Sequence, residues 1–320
     1  MPEVVRVGLA MLAAVITAAA IVRGSRGGRM MPPGFASPAR RGAALLMLVL
    51  VLYAGAFAPL FFWDQVPEFD PQAVHVAELF AVQVLLLLSL LTWFVLGYPR
   101  TGSDGTAVPE LRAWPSPEVL PAAEPAASPE AASEVSVAPP VPARSWWQEL
   151  VHQCGLDAER PGREVALGVA LGFGVWGVVV VLMVLLGLVL SALGLGEELP
   201  TEPVPQVMFL ASQPVWLRVC VCLAAGVSEE IFFRGFLQAR IGVLASSLLF
   251  ALAHLGYGQP LMVVGILLLA LIFAAVVRRR RNVGSVIVAH AVFDMIQLLV
   301  VLPLVVENLG AGGASSGGLS

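Results

Sequence analysis

Polar and charged residues in this chain are spaced so that long apolar runs lie between them, at residues 4–22, 42–63, 76–98, 165–194, 216–234, 241–257, 261–277 and 283–306. A hydrocarbon core about 30 Å thick takes roughly 20 residues of helix to cross, so these runs predict about eight transmembrane helices. The sixth is short for a crossing. Backbone groups in lipid must be bonded within their own segment, so the expected fold class is all-α, a polytopic transmembrane helix bundle.

The runs are interrupted once at length. Residues 106–145 are Pro, Ala, Ser and Glu with few large apolar side chains, the composition of an extended, disordered linker. The texture changes at SWWQELVHQCGL, where Trp146, Trp147, Leu150, Val151 and Cys154 recur at helical spacing behind Ser145. That pattern fits a helix lying in the membrane interface, and it fits equally well two tryptophans in the headgroup belt of the next span. The expected organisation is a three-helix membrane region over 1–98, the linker at 99–144 and an interfacial helix with connector at 145–164. A membrane core over 165–306 and a Gly/Ser-rich disordered tail at 307–320 complete it. No internal repeat is present.

Composition excludes a soluble globule: 58% of residues are hydrophobic, 12% are charged, and the mean hydropathy is +0.87. Charge then orients the bundle. Arg23, Arg26, Arg29, Arg40 and Arg41 follow the first run, and Arg278, Arg279, Arg280 and Arg281 precede the last, so both loops are expected on the cytoplasmic side. The loops after the second and fourth runs carry acids but no arginine or lysine. Arg6 and Arg218 fit this scheme poorly, and snorkelling to an interface is the expected accommodation for each. Because the arginines follow the first run and do not precede it, that run reads as an anchor with its N-terminus outside, not as a cleaved signal. Of Cys154, Cys220 and Cys222, the last two stand two apart on one helix and cannot bridge each other, so no disulfide framework or metal clip is expected.

The chemistry lies in the few ionisable groups inside the spans, each of which costs about 2.5 kcal/mol or more to insert. These are Glu229, Glu230 and Arg234 in the fifth run, His254 in the sixth, and His290 with Asp294 in the eighth. At about 1.5 Å per residue from the cytoplasmic ends, Glu229 lies roughly 16 Å deep, His254 18 Å, His290 12 Å and Asp294 18 Å. Three helices thus bring charge to one level near the midplane, where a shared polar cavity is the least costly arrangement. Glu230 and Arg234 stand at i and i+4 with the acid first, the favourable order for an ion pair. Glu229 is turned about 100° away and faces elsewhere. Phe250 can wall one side of His254 at the same spacing, and His290 and Asp294 can address one point.

Glu229, Glu230 and Arg234 match an EExxxR motif, Phe250 and His254 an FxxxH, and His290 with Asp294 an HxxxN/D. In that order on successive hydrophobic helices, the three motifs resemble the CPBP family, the CAAX-protease and bacteriocin-processing (abortive-infection) membrane proteins. The resemblance spans about residues 197–306. It implies an intramembrane glutamic endopeptidase that hydrolyses a peptide bond in a membrane-associated peptide or protein. Glu229 and His254 would activate water, Arg234 would hold Glu230, and His290 with residue 294 would stabilise the oxyanion. Aspartate stands at 294 where the family more usually has asparagine, so Asp294 is expected to orient His290 rather than to touch substrate. The implied partners are the lipid bilayer and a membrane-anchored substrate, with no nucleic acid, cofactor or metal, and the expected location is the bacterial cytoplasmic membrane. Three other readings compete: a zinc-dependent intramembrane protease, which lacks an HExxH; a non-catalytic bacteriocin-immunity or binding protein; and a proton-coupled transporter.

Overall fold

The computed structural model describes residues 3–26, 37–57, 70–71, 74–97, 146–196, 204–255 and 259–306. The linker expected at 99–144 and the tail expected at 307–320 lie outside the described residues, most of which are helical and none of which forms a strand.

In chain order the helices are α1 (Glu3–Arg26), α2 (Pro38–Leu52), α3 (Ala81–Gly97), α4 (Trp146–Gln153), α5 (Pro161–Ala192) and α6 (Pro205–Ser212), followed by α7 (Val215–Glu229), α8 (Val243–Leu252), α9 (Pro260–Arg280) and α10 (Gly284–Ile296). Three of them widen to i→i+5 bonding without stopping, α2 doing so over Tyr53–Phe57. Helix α7 widens to i→i+5 bonding over Glu230–Leu237 and ends in the turn Gln238–Ile241, while α10 widens over Gln297–Val301. Pro38, Pro161, Pro205 and Pro260 open their helices, where the missing N–H would have lacked a partner anyway. Gly242, at φ 89°, turns the chain sharply from α7 into α8 in a conformation that L side chains rarely adopt. Arg278, Arg279 and Arg280 form the last turn of α9, where cations complement the helix dipole, and Arg281 ends it in the left-handed region at φ 57°.

Five helical stretches among the described residues are long and apolar enough to cross a membrane: Pro38–Gly55, Val76–Gly97, Pro161–Ala192, Leu261–Arg280 and Gly284–Val306. The eight crossings expected from hydropathy are therefore not all met by that measure. Helix α7 has the length for a span but carries Arg218, Glu229, Glu230 and Arg234 along it. The sixth expected span contracts to α8, whose 10 residues reach only about 15 Å. At the other extreme α5 has 32 residues, about 48 Å, and must tilt or protrude from a core about 30 Å thick. Large apolar side chains such as Phe173, Val181 and Leu188 on α5 and Leu88 and Val95 on α3 stand exposed, as a lipid-facing surface requires.

Close helix contact is made with small residues, which let backbones approach where lipid supplies no hydrophobic drive. Gly168 and Gly172 on α5 face α10. A Cβ on Gly168 would lie 2.5 Å from that of Val288, and one on Gly172 would lie 2.8 Å from that of Val292. On the other side of α10, Gly226 of α7 meets the Ile287 carbonyl, 2.9 Å from where its Cβ would be. Helix α10 is thereby clasped between α5 and α7. The N-terminal helices join the same apolar core: Leu48, Leu90 and Trp93 are continuous with Phe232, Phe236 and Phe250, and the Trp93 and Phe236 rings meet edge-on at 5.0 Å.

Helix α4 is separate from α5, with a turn and an extended connector between them. Its end docks on α7 beside Gly235. The Cys154 carbonyl lies 2.3 Å from where a Cβ on Gly235 would be, so only glycine admits this contact. The Val283 N–H donates to the Gly155 carbonyl at 2.8 Å, and Arg240 donates to Gln153 Oε1 at 3.1 Å, so the connector ties α7 to the start of α10. Burial leaves Cys154 without exposed surface and pushes its thiol up to about 12. All three cysteines are free thiols.

Candidate active site

Each sequence-predicted residue takes its position from one of three helices. Glu229 closes the regular part of α7 and Glu230 opens the wide stretch, so the two carboxylates leave the helix on either side of a change in pitch. Single wide turns of this kind recur at functional sites. Glu230 is 0% exposed, and Arg234 pairs with its Oε1 at 3.0 Å. The guanidinium N–H does not point along that line, so the contact is charge pairing and not an aligned hydrogen bond. The arginine is held from another side by an aromatic face, its Cζ lying 4.0 Å from the centroid of Phe250.

Phe250 is the hub of the arrangement. Besides the guanidinium, its ring meets His254 at 4.7 Å, Phe233 at 5.1 Å and His290 at 6.1 Å between centroids. The wall beside His254 expected from the FxxxH spacing is thus present, and the same ring also borders the second histidine. Residues 253 and 254 form a turn just beyond α8, so His254 stands where this short helix stops. Its Nδ1 lies 2.8 Å from the Phe250 carbonyl. A carbonyl only accepts, so Nδ1 carries the proton and Nε2 has the lone pair in the neutral ring.

His290 on α10 faces carboxylates through both nitrogens. Nδ1 is 2.7 Å from Glu230 Oε1 in a buried hydrogen bond, whereas Nε2 lies 3.4 Å from Asp294 Oδ2 and 3.9 Å from Glu229 Oε2. The two longer separations exceed hydrogen-bond range. The ring is set by Glu230 and by the packing of Phe250 and Phe273, the latter at 6.1 Å, while Nε2 looks into the gap between Glu229 and Asp294. Exposure rises toward that gap, with 6% of the His290 side chain, 12% of Glu229 and 29% of Asp294 accessible. Glu229, Glu230, Arg234, His290 and Asp294 therefore form one connected cluster, which His254 joins through Phe250. Among the described residues, no three His, Cys, Asp or Glu side chains are grouped so as to hold a metal ion.

Several supporting residues escape sequence reasoning. Phe273 carries no motif and is recognisable only once α9 lies beside α10. Gly226 and Gly235 are single glycines on an apolar helix, a weak signal, while the Gly168–Gly172 spacing was a readable seam whose partner the sequence does not name. Arg218 makes a contact that hydropathy did not indicate, its Nη1 donating to the Leu298 carbonyl at 2.9 Å.

A multi-pass helical membrane protein enclosing acid and imidazole groups within its bundle is the class that this fold and site define. Within it, residues 211–296 match the family model of the type II CAAX prenyl endopeptidases, Rce1-like, which is the CPBP relationship that the three motifs resemble. The matched segment is about a quarter of the chain and contains every candidate from Glu229 to Asp294. No curated protein and no solved structure matches the chain.

Proposed function

We propose that the chain is an intramembrane endopeptidase that hydrolyses a peptide bond of a membrane-associated peptide or protein with water activated by Glu229 and His254. The observation that carries this reading is the convergence of Glu229, Glu230, Arg234, His290 and Asp294, from two helices, on a partly accessible gap beside Phe250 and His254. Such a cluster inside a bilayer is costly, and a wet reaction cavity gives it a purpose.

The carboxylate of Glu229 takes a proton from water as the water oxygen bonds to the scissile carbonyl carbon, and the second water hydrogen is held by Nε2 of His254. The carbonyl electrons move onto oxygen. That oxyanion meets the Nε2–H of His290, which donates from both nitrogens when the ring is an imidazolium and whose Nδ1–H is already engaged by Glu230. Glu229 then returns its proton to the departing nitrogen as the C–N bond breaks, releasing an amine and a carboxylic acid. Arg234 balances the charge of Glu230 and so keeps that carboxylate in place behind His290. Asp294 sits at the mouth of the gap and orients Nε2. The substrate we favour is a membrane-anchored peptide, for which a prenylated CAAX tail, named in the family's description, is a ready probe, and the location we favour is the bacterial cytoplasmic membrane.

The test uses the full chain in lipid nanodiscs with an internally quenched farnesylated CAAX peptide and, in parallel, with detergent-solubilised membrane proteins as competitors. Cleavage in H₂¹⁸O is expected to place one ¹⁸O in the new carboxyl group. Glu229→Ala and His254→Ala are each expected to lower kcat by a factor of 100 or more, about the contribution of a positioned acid–base group, with unchanged levels in the membrane. Undiminished turnover in both variants would remove Glu229 and His254 from the mechanism, retained biological function in both variants without any cleavage by the wild type would point to a binding or immunity role, and complete loss in chelator restored by zinc would replace the metal-free mechanism.

A further inference from the structure

Helix α10 contains a defect that its sequence creates. Over Gln297–Val301 the bonding shifts to i→i+5, so that the Leu302 N–H donates to the Gln297 carbonyl. The next carbonyl, that of Leu298, would look to residue 303 for its donor, and residue 303 is proline, which has no N–H. A carbonyl without a donor inside a bilayer is costly. The donor comes from another helix: Arg218 of α7 bonds this oxygen through Nη1 at 2.9 Å. Its Nε is buried with no partner of its own, so the guanidinium is directed at this contact and not spread across a polar surface.

The position of the defect gives it a role. His290, Asp294 and Leu298 stand at successive i+4 positions and share one face of α10, while Arg218, Cys222, Gly226 and Glu230 make the corresponding stripe on α7. The stripes touch at both ends, through Glu230 to His290 at 2.7 Å and through Arg218 to Leu298 at 2.9 Å. Between them Gly226 packs on Ile287 and Ala291, and Cys222 on the same stripe is buried. Asp294 is therefore suspended between two inter-helix ties, one turn from the weakened segment of its own helix.

We propose that Arg218 is a positioning residue: by supplying the hydrogen bond that Pro303 withholds, it fixes the register of α10 at Asp294 and so the approach of that carboxylate to His290 Nε2. This rests on the hydrolytic reading of the site for its effect on turnover, but the tie itself does not. A residue of this kind changes kcat more than KM, because substrate is bound elsewhere and only the aim of the reacting groups is altered.

The test compares Arg218→Lys, Arg218→Met, Pro303→Ala and the double variant Arg218→Met/Pro303→Ala in nanodiscs. Arg218→Met is expected to lower kcat on the farnesylated CAAX peptide about tenfold, the scale of one interhelical hydrogen bond in a membrane, with KM changed less than about twofold. Arg218→Lys, which keeps a donor, is expected to retain most of the rate. The decisive arm is the rescue: alanine at 303 returns a backbone N–H to the Leu298 carbonyl, so the double variant is expected to recover toward wild type although it still lacks the arginine. Amide hydrogen exchange of residues 294–302 is followed in the same samples, rising in Arg218→Met and falling again in the double variant, and this arm reads the tie whether or not the peptide is cleaved. An unchanged exchange rate and unchanged kcat in Arg218→Met, or a loss that Pro303→Ala leaves uncorrected while the melting temperature is normal, overturns the proposal. Absence of cleavage by the wild type, with the exchange pattern as described, sinks the enzymatic reading and leaves the tie standing.

Discussion

Replacing Arg234 by methionine preserves much of the side-chain volume and deletes its charge, which isolates the electrostatic part of its role. In the folded protein the guanidinium lies 3.0 Å from Glu230, with 1% and 0% of the two side chains exposed, so water cannot take over when the arginine is removed. Glu230 would keep the 2.7 Å bond from His290 on Oε1, while Oε2 has no other protein donor. Removing one partner of a buried pair costs about 3–5 kcal/mol, because the other is left as an uncompensated charge. Loss of the cation over Phe250 adds about 1 kcal/mol. The expected destabilisation of Arg234→Met is therefore about 4–6 kcal/mol, by the addition of those two effects. Glu230→Gln, which removes the charge but keeps an oxygen for His290, should then rescue much of the damage. The double variant is expected to lose at least about 2 kcal/mol less than the sum of the singles. Unfolding in nanodiscs, followed through the fluorescence of the chain's seven tryptophans, measures all four corners of the cycle. Melting of Arg234→Met alongside the wild type, or a coupling below about 0.5 kcal/mol, would refute the view that the two charges stabilise each other as a unit.

Two further expectations follow from packing and burial. Gly172→Leu should separate α5 from α10, since even a Cβ there would meet Val292 at 2.8 Å, and a loss of about 1–3 kcal/mol or outright failure to accumulate is expected; Gly174→Ala two positions on, with nothing within 4 Å of the new methyl, should be neutral or stabilise the helix by about 0.5–1 kcal/mol, as thermal unfolding of the pair would show. Cys154, whose thiol is raised from 9.0 to about 12 by burial, should resist N-ethylmaleimide at pH 8 until the protein is opened with SDS, as intact mass spectrometry would read. The same shift makes the folded state keep a proton that the unfolded chain releases, so this group's contribution to stability is full below about pH 9 and declines as pH rises from there toward 12.

The contacts legible in the sequence are those that lie within one helix or along the membrane normal. Glu230 with Arg234 and Phe250 with His254 are separated by one helical turn, so spacing alone predicted them, and counting residues inward from the expected helix ends near Arg240, Gly242 and Asn282 brought Glu229, His254 and Asp294 to similar depth. What periodicity does not carry is the rotation of one rod against the next. His290 was expected to be oriented by Asp294 one turn away, and the partner that its Nδ1 meets is Glu230, 60 residues away; only the facing of α7 and α10 decides which ring nitrogen is occupied. The regular 3.6-residue turn assumed for Glu229 and Glu230 also breaks at that point, and Glu230–Leu237 contains no proline to announce the change in pitch. Arg218 was judged by hydropathy as a charge seeking water, although the signal that explains it, Pro303, was in plain view on another helix. Small residues at Gly168, Gly172 and Gly226 clasp α10 and thereby set the rotation that all of these pairings share. A side chain added at any of those glycines would disturb the site without touching a single acid or histidine in it, which is why the motifs alone could name the chemistry but not assemble it.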